Sequence, residues 1–171
     1  MLRYSITDIL RYLRVKSRTF PFGWRSRSQI GLYQRLNLRI GKGSILEKGV
    51  RILGDIGGLK IGRNVSVGPN TVLIVGSGLE IHDNVLIGPN CTIAGGSHSI
   101  KLGQSIRFSE DTSKGKIVIG YDSWLGANCV VLDGVHIGEK SVVGAGSVVT
   151  NNTLPDSINL GVPSKFVKWR I

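Results

Sequence analysis

From Ile119 onward the sequence can be cut every six residues: IGYDSW, LGANCV, VLDGVH, IGEKSV, VGAGSV, VTNNTL. Each unit opens on a branched aliphatic residue, Gly usually follows, and the fifth place is small or branched. The same pattern runs earlier as IGRNVS and VGPNTV, then as IHDNVL, IGPNCT and IAGGSH, with the eight residues LIVGSGLE between the two groups. A period of six fits neither the α-helix, at about 3.6, nor one long strand. It fits a short strand and a turn, repeated. The first aliphatic points inward, and so does the fifth residue, where the cross-section is narrow. Gly at the second place is expected to supply an unusual backbone angle, and Asn at the fourth to tolerate the left-handed region. Three such strands close a triangular coil of about 18 residues, and stacked coils bury one another's faces. The expected fold is all-β, a parallel β-helix.

Composition agrees with many tight turns and few large rings: 24 Gly against 6% aromatics. Cys91 and Cys129 both occupy the small fifth position and read as core packing, not as a disulfide scaffold. With no disulfide framework, a reducing, cytoplasmic location is expected. No stretch approaches the roughly 20 apolar residues of a membrane span. The N-terminus lacks an uninterrupted apolar run, so no secretory signal is expected.

The charge is concentrated at one end. Residues 1–39 carry nine Lys/Arg against Asp8 alone, which is +8 of the chain's net +11. Within that segment Ile6, Ile9, Leu10 and Leu13 share one face of a helix, with Arg3, Arg11 and Arg14 off it. Such a helix can pack on the β-helix or on a neighbouring subunit, can cap the first coil, or can lie weakly on a membrane surface as a peripheral contact. The basic residues are not interleaved with base-stacking aromatics, so no nucleic-acid partner is expected. The chain thus divides into a basic, partly helical segment, 1–39, and a β-helix domain, 40–171, with a loop at 99–116 and a C-terminal tail.

The stretches IGPNCTIAGGSHSI and IVIGYDSWLGANCVVLDGVHIGEKSVVGAGSVVTNNTLPDSINLGVPSKFVKW resemble those of the hexapeptide-repeat O-acetyltransferases. The nearest branch is that of the galactoside and maltose enzymes and of those that acetylate cell-surface polysaccharides. The resemblance covers about residues 40–171. It rests on a histidine before a loop, a Trp in SWLGAN, the GAGSVVT coil and the closing GVPSK. It implies a left-handed β-helix, a homotrimer with its sites at the three subunit interfaces, and acetyl-CoA as cosubstrate. The loop without a six-residue period, SIKLGQSIRFSEDTSKGK, is in such proteins the wall of the active site across a subunit boundary.

By the same resemblance His98, the last residue of IAGGSH, corresponds to the catalytic base. The residue type suits that role, because a sugar hydroxyl must lose its proton as it attacks a thioester, and imidazole has an ordinary pKa of about 6.5. Ser97 and Ser99 are its chain neighbours, and Glu110 and Asp111 are acids of the loop. Ala127 and Ala145 would face the pantetheine arm, Thr150 and Asn151 would add further contacts, and Lys165 and Lys168 would meet the CoA phosphates. Trp124 and Asn84 are the acceptor-side candidates. Gly68 stands where galactoside-type enzymes carry an acceptor-binding Asn, which favours a larger glycan or its precursor over a free galactoside or maltose. His82 and His136 read as outward surface residues. The three histidines lie 16 and 38 residues apart, not in the close pair of the γ-class carbonic anhydrases, and no metal site is expected. Two other readings stand beside sugar O-acetylation: N-acetylation of an amino sugar or another small amine, and a non-catalytic β-helix scaffold.

Overall fold

The computed structural model describes residues 39–171; the Ile6/Ile9/Leu10/Leu13 face and most of the basic segment lie outside them. The described chain is all-β apart from two single 3-10 turns, Ile56–Gly58 and Ile106–Phe108. It winds through five coils of three short strands: β1 (Arg39–Ile40), β2 (Ile45–Leu46), β3 (Arg51–Leu53); β4 (Leu59–Ile61), β5 (Ser66–Val67), β6 (Val72–Ile74); β7 (Leu79–Ile81), β8 (Leu86–Ile87), β9 (Thr92–Ala94); β10 (Ile117–Ile119), β11 (Trp124–Leu125), β12 (Val130–Leu132); β13 (His136–Ile137), β14 (Val142–Val143), β15 (Val148–Val149). Every third strand pairs in parallel, giving three sheets: β1-β4-β7-β10-β13, called here A; β2-β5-β8-β11-β14, called B; and β3-β6-β9-β12-β15, called C. Below the last coil, β16 (Ser157–Leu160) extends sheet B in parallel, and β17 (Lys165–Trp169) turns back antiparallel to it.

The hexapeptide phase read from the sequence is the phase of the coil. The opening aliphatics Ile119, Leu125, Val131, Ile137, Val143 and Val149 are all buried, and so are the fifth residues Ser123, Cys129, Val135, Ser141 and Ser147. A single column of Val, Leu and Ile fills the axis, each fully buried side chain contributing about 1.5–3 kcal/mol. The buried hydroxyls bond to the backbone of the next coil or of their own turn: Ser123 and Ser141 donate to the carbonyls of Gly138 and Leu154, and Thr71 donates to that of Gly88. This keeps polar side chains inside a narrow core at little cost. Fourth-place residues take the left-handed conformation as expected, at φ between 54° and 61° for Asn64, Asn70, Asn84, Asn90, Asp122 and Asn128.

The second-place glycines are there for a different reason from the one expected. Gly62, Gly68, Gly88, Gly120, Gly126 and Gly138 are absent from the residues with positive φ. Their Cα atoms instead lie against the backbone of the next coil. A Cβ on Gly88 would sit 2.7 Å from the Ala127 nitrogen, and one on Gly126 would sit 2.6 Å from the Ala145 nitrogen. Close approach, not a special backbone angle, selects glycine at this place.

Cys91 and Cys129 are free and fully buried on successive coils. Their Sγ atoms point at the carbonyl oxygens of Gly126 and Gly144, at 3.1 and 3.2 Å. The hydrogen bond with the neighbouring Cys129 thiol and then burial push the Cys91 thiol up, so it stays protonated and packs as a small apolar group.

Replacing Gly88 by Ala is expected to destabilise the fold by about 1–3 kcal/mol, because the added methyl meets backbone that cannot step aside. Urea denaturation checks this. A midpoint equal to that of the wild type would mean that the coils can separate there freely.

Candidate functional site

The repeat breaks after β9. The expected boundary at Ser99 proves too late, since the regular coil ends at Ala94 and sheet A resumes only at Ile117. IAGGSH therefore does not complete a hexapeptide. Its fifth residue, Ser97, is only half-buried, whereas Ser99 is buried. Gly95 still lies against coil two, where a Cβ would meet the Ile74 oxygen at 2.6 Å, and Gly96 turns the chain outward at φ 94°. His98 belongs to the stem of the excursion.

That stem is a short antiparallel pairing. His98 bridges Asp111, the Thr112 N–H donates to the Ser97 carbonyl at 2.9 Å, and the Ser99 N–H donates to the Glu110 carbonyl at 3.3 Å. The Asp111 carboxylate accepts from the Ser97 and Ser113 N–H groups at 3.4 and 3.0 Å. The two acids the sequence offered as neighbours of His98 thus lie across the stem from it. Asp111 holds backbone, with both N–H groups donating to its Oδ1.

Asp133 does not stand out in the sequence, where it sits in an ordinary hexapeptide, VLDGVH. In the structure it is the anchor of the excursion. It is 8% exposed, and its Oδ1 accepts from the Gly96 N–H at 2.7 Å and from the Ser113 hydroxyl at 3.0 Å. Its Oδ2 accepts from the Lys114 N–H at 2.5 Å. Burial alone would raise its pKa, but the hydrogen bonds from Gly96, Lys114 and Ser113 together hold it below the ordinary aspartate value. No sequence signal singles it out, because Gly96 and Ser113, 37 and 20 residues away, become its neighbours only when the coils stack.

Glu80 on the outer face of sheet A secures the far end of the loop. It accepts from Lys60 at 2.8 Å and from Lys116, one residue before β10, at 3.0 Å.

The other candidates fall on three distinct parts of the prism. Thr150 and Asn151 leave the end of β15 on the same edge, between sheets C and A, as the His98 stem and Asp133. The Asn151 side-chain amide donates to the Thr150 hydroxyl at 3.0 Å. Ala127 and Ala145 stack on the edge between B and C, where the Gly146 N–H donates to the Ala127 carbonyl at 2.8 Å. Sheet C spans the two edges, and its outer face carries only short or aliphatic side chains on its last three strands: Thr92, Ala94, Val130, Leu132 and Val148.

Trp124, half-exposed at 50%, stands in a row across the outer face of sheet B, between Leu86 and Val142. The row continues through Ile158 to Lys168. Lys165 and Lys168 are three apart, so a regular strand would point them to opposite faces. A register shift between Ile158 and Asn159 places Lys168 opposite Ile158 and Lys165 opposite Leu160, while Phe166 and Trp169 lie opposite Asn159 and Ser157. Since Ser157 and Asn159 are buried, both lysines share the outer face with Trp124.

Asn84 is not brought together with His98 within one chain. It turns the edge between A and B, where its side-chain amide donates to the Tyr121 hydroxyl at 3.1 Å and its oxygen accepts from Asn64 at 3.2 Å. His136 is exposed on sheet A, and His82 is exposed just past the end of β7. Among the described residues no group of three or more His, Cys, Asp or Glu could hold a metal ion, and no helix is long and apolar enough to cross a membrane.

A parallel β-helix of hexapeptides with a histidine-bearing excursion defines a class, and comparison with known proteins agrees. A family profile described as the hexapeptide repeat of succinyl-transferase matches residues 116–151. A hexapeptide-repeat-containing acetyltransferase of Vibrio cholerae has TM-score 0.78 at 27% identity, over 97% of this chain and 93% of that one. A structure of that protein complexed with acetyl coenzyme A has TM-score 0.74 at 31% identity, over 85% of this chain and 79% of the other. A maltose O-acetyltransferase of Clostridium difficile gives 0.72 at 25%, covering 94% and 86%. The galactoside O-acetyltransferase of Escherichia coli is 42% identical over 52 residues, 30% of this chain and 26% of that protein. The chain belongs to the hexapeptide-repeat acetyltransferase family. Its matched segments span only about a quarter of the curated relatives, 27% for a Staphylococcus aureus protein and 26% for the E. coli enzyme.

The lysine pair on Glu80 has a measurable consequence. Hydrogen bonds from Lys60 and Lys116 outweigh partial burial and lower its carboxyl from 4.5 to about 2. Its folded pKa is depressed, so its stabilisation is present above 4.5 and is lost as pH falls from there towards 2. Both lysines are about half exposed, at 53% and 48%, so solvent screens the pair and the contribution is less than about 1 kcal/mol. In Glu80→Gln, stability should fall less steeply over that acid window. A loss as steep as in the wild type would show that the carboxylate is not held by the lysines.

Proposed function

We propose that the protein is an acetyl-CoA-dependent O-acetyltransferase acting on a sugar hydroxyl of a cell-surface polysaccharide or its precursor, with His98 as general base. The observation that carries the proposal is the position of His98. It stands in the stem of the only long excursion among the described coils, on the edge it shares with Thr150 and Asn151, in a chain of this family. The chemistry follows from the residue. The acceptor hydroxyl oxygen attacks the thioester carbonyl carbon as its proton passes to the imidazole. The tetrahedral oxyanion then collapses, the carbon–sulfur bond breaks, and the imidazolium returns the proton to the departing CoA sulfur.

The cosubstrate reading rests on the outer faces. The small side chains of sheet C and the stacked Ala127 and Ala145 leave room for an extended pantetheine arm. Lys165 and Lys168, turned to one face by the β17 register shift, suit phosphates. Trp124, in the same row, is suited to the acyl or acceptor pocket.

Homotrimer assembly has its own support. The excursion carries Ile100, Leu102, Ile106 and Phe108 at 57–103% exposure, and Leu53, Leu86, Trp124 and Leu132 stand out from sheets B and C. Sheet A by contrast is dressed with Lys60, Glu80 and His136. Apolar surface of this extent on two faces and a loop suits burial between copies. Sedimentation should give a stable trimer; a monomer at micromolar concentration would overturn this part.

N-acetylation of an amino sugar uses the same base. One solved structure of similar fold is an N-acyltransferase from Bacillus cereus, whose TM-score of 0.69 at 22% identity speaks for the fold alone.

The deciding experiment is CoA release from acetyl-CoA against a panel of sugars, polysaccharide repeat units and amino sugars. Turnover on hydroxyl acceptors supports the proposal. Turnover on amines alone moves the function to N-acetylation, and none with any acceptor leaves a scaffold. His98→Ala should cost about 10²–10⁴-fold in kcat with CoA affinity unchanged; full turnover would mean that the base lies elsewhere. Lys165→Ala with Lys168→Ala should raise KM for acetyl-CoA more than it lowers kcat, because phosphate contacts bind ground and transition states alike. If the double variant still prefers acetyl-CoA over acetyl-dephospho-CoA as strongly as the wild type does, the lysines are not the phosphate clamp.

A further inference from the structure

We infer that Asp133 is the positioning residue for His98: from the coil below, its one buried carboxylate ties the departing and returning ends of the excursion together and so sets where the histidine stands. The inference rests on His98 as base and goes beyond it by naming what holds that base in place.

His98 is exposed, and no hydrogen bond to its ring is found among the described residues, so its position is set by backbone. On the N-terminal side that backbone is fixed at Gly96, two residues earlier, and on the C-terminal side through Asp111, Thr112 and Ser113 across the stem. The Gly96 and Ser113 attachments converge on the same atom, Asp133 Oδ1. Oδ2 takes the Lys114 N–H, which fixes the direction in which the chain returns to β10.

Three donors on one carboxylate are more than a neutral side chain of this shape can receive. An amide in its place has one acceptor oxygen, and its NH2 would face an N–H donor. Gly96 cannot hold the bend by itself: it has φ 94° and no side chain, and nothing lies within 4 Å of where its Cβ would be. The stem pairing is a single bridge with one bond of 3.3 Å beside one of 2.9 Å, too short a ladder to fix a loop of this length alone. The anchor is therefore electrostatic and buried. It is rooted in β12, whose Val131 is fully buried, so the rigid coil dictates the place of a residue on a loop.

The test compares Asp133→Asn, Ser113→Ala, His98→Ala and the wild type. With acetyl-CoA and a polysaccharide repeat unit as acceptor, Asp133→Asn should lose about 10- to 100-fold in kcat, the cost of a base displaced by an ångström or so. KM for acetyl-CoA should stay within about twofold, since the proposed pantetheine and phosphate contacts at Ala127, Ala145, Lys165 and Lys168 lie off this edge. In the His98→Ala background, Asp133→Asn should add no further loss, whereas a general folding defect would add one. The readout that needs no acceptor is NMR of ring-labelled histidine. The His98 signals should move or broaden in Asp133→Asn, and less so in Ser113→Ala, while those of His82 and His136 stay in place. Should Asp133→Asn not fold, Ser113→Ala, which keeps the carboxylate, carries the same comparison.

If His98→Ala keeps wild-type turnover, the base reading falls and this inference with it. If His98→Ala is inactive but Asp133→Asn retains full kcat, the positioning role alone falls. His98 ring signals identical to those of the wild type in both Asp133→Asn and Ser113→Ala overturn it whatever the acceptor assay gives.

Discussion

The structure depends on how closely successive coils approach at their corners. Parallel strands of one sheet lie about 4.8 Å apart, and at the corners the chain above rests directly on the chain below. The ideal Cβ positions at Gly68, Gly88, Gly120 and Gly126 all fall within 2.6–2.7 Å of main-chain atoms of the next coil. That contact fixes the pitch, and the pitch fixes the register of all three sheets. The column of aliphatic residues then fills a cross-section whose size is already set, which is why fifth-place residues are Ser, Cys, Thr or Val and not Leu.

A scaffold so regular has little freedom, so its departures carry the information. The excursion at 95–116 buries almost nothing of its own and leaves four large apolar side chains in solvent. It is nonetheless attached at its root by buried charge-assisted bonds to Asp133 and at its return by the Glu80 pairs. The difference in burial decides their weight. Asp133, at 8% exposure, holds backbone donors in a low-dielectric setting, whereas Glu80 works between half-exposed lysines that water and salt screen.

The C-terminal hairpin is a second departure. An antiparallel β17 ends the parallel stack, and Ser157 and Asn159 hydrogen-bond to each other where the apolar column stops. The bulge in that hairpin turns two lysines to one face, giving a cationic edge to a row that begins as Leu86 and Trp124. Rigid coils present these groups, so the spacing between edge, row and stem is fixed before any ligand arrives.

The hexapeptide period by itself determined that the chain is a β-solenoid, and it determined which face of each strand is buried. Position within a coil repeats with position in sequence, so spacing alone assigns Ile119 and Cys129 inward and Trp124 outward. The family resemblance carries His98, because a histidine at the break of a repeat is a local signal. Contacts between coils are not legible, because residues 18 to 38 apart in sequence become neighbours only after winding. For that reason spacing misassigns the role of the glycines and runs the repeat four residues too far. It also gives Asp133 no distinction, since its partners Gly96 and Ser113 lie 37 and 20 residues away. Nor can alternation place the lysine pair on β17: a one-residue register shift, visible only against β16, reverses the face of everything beyond it.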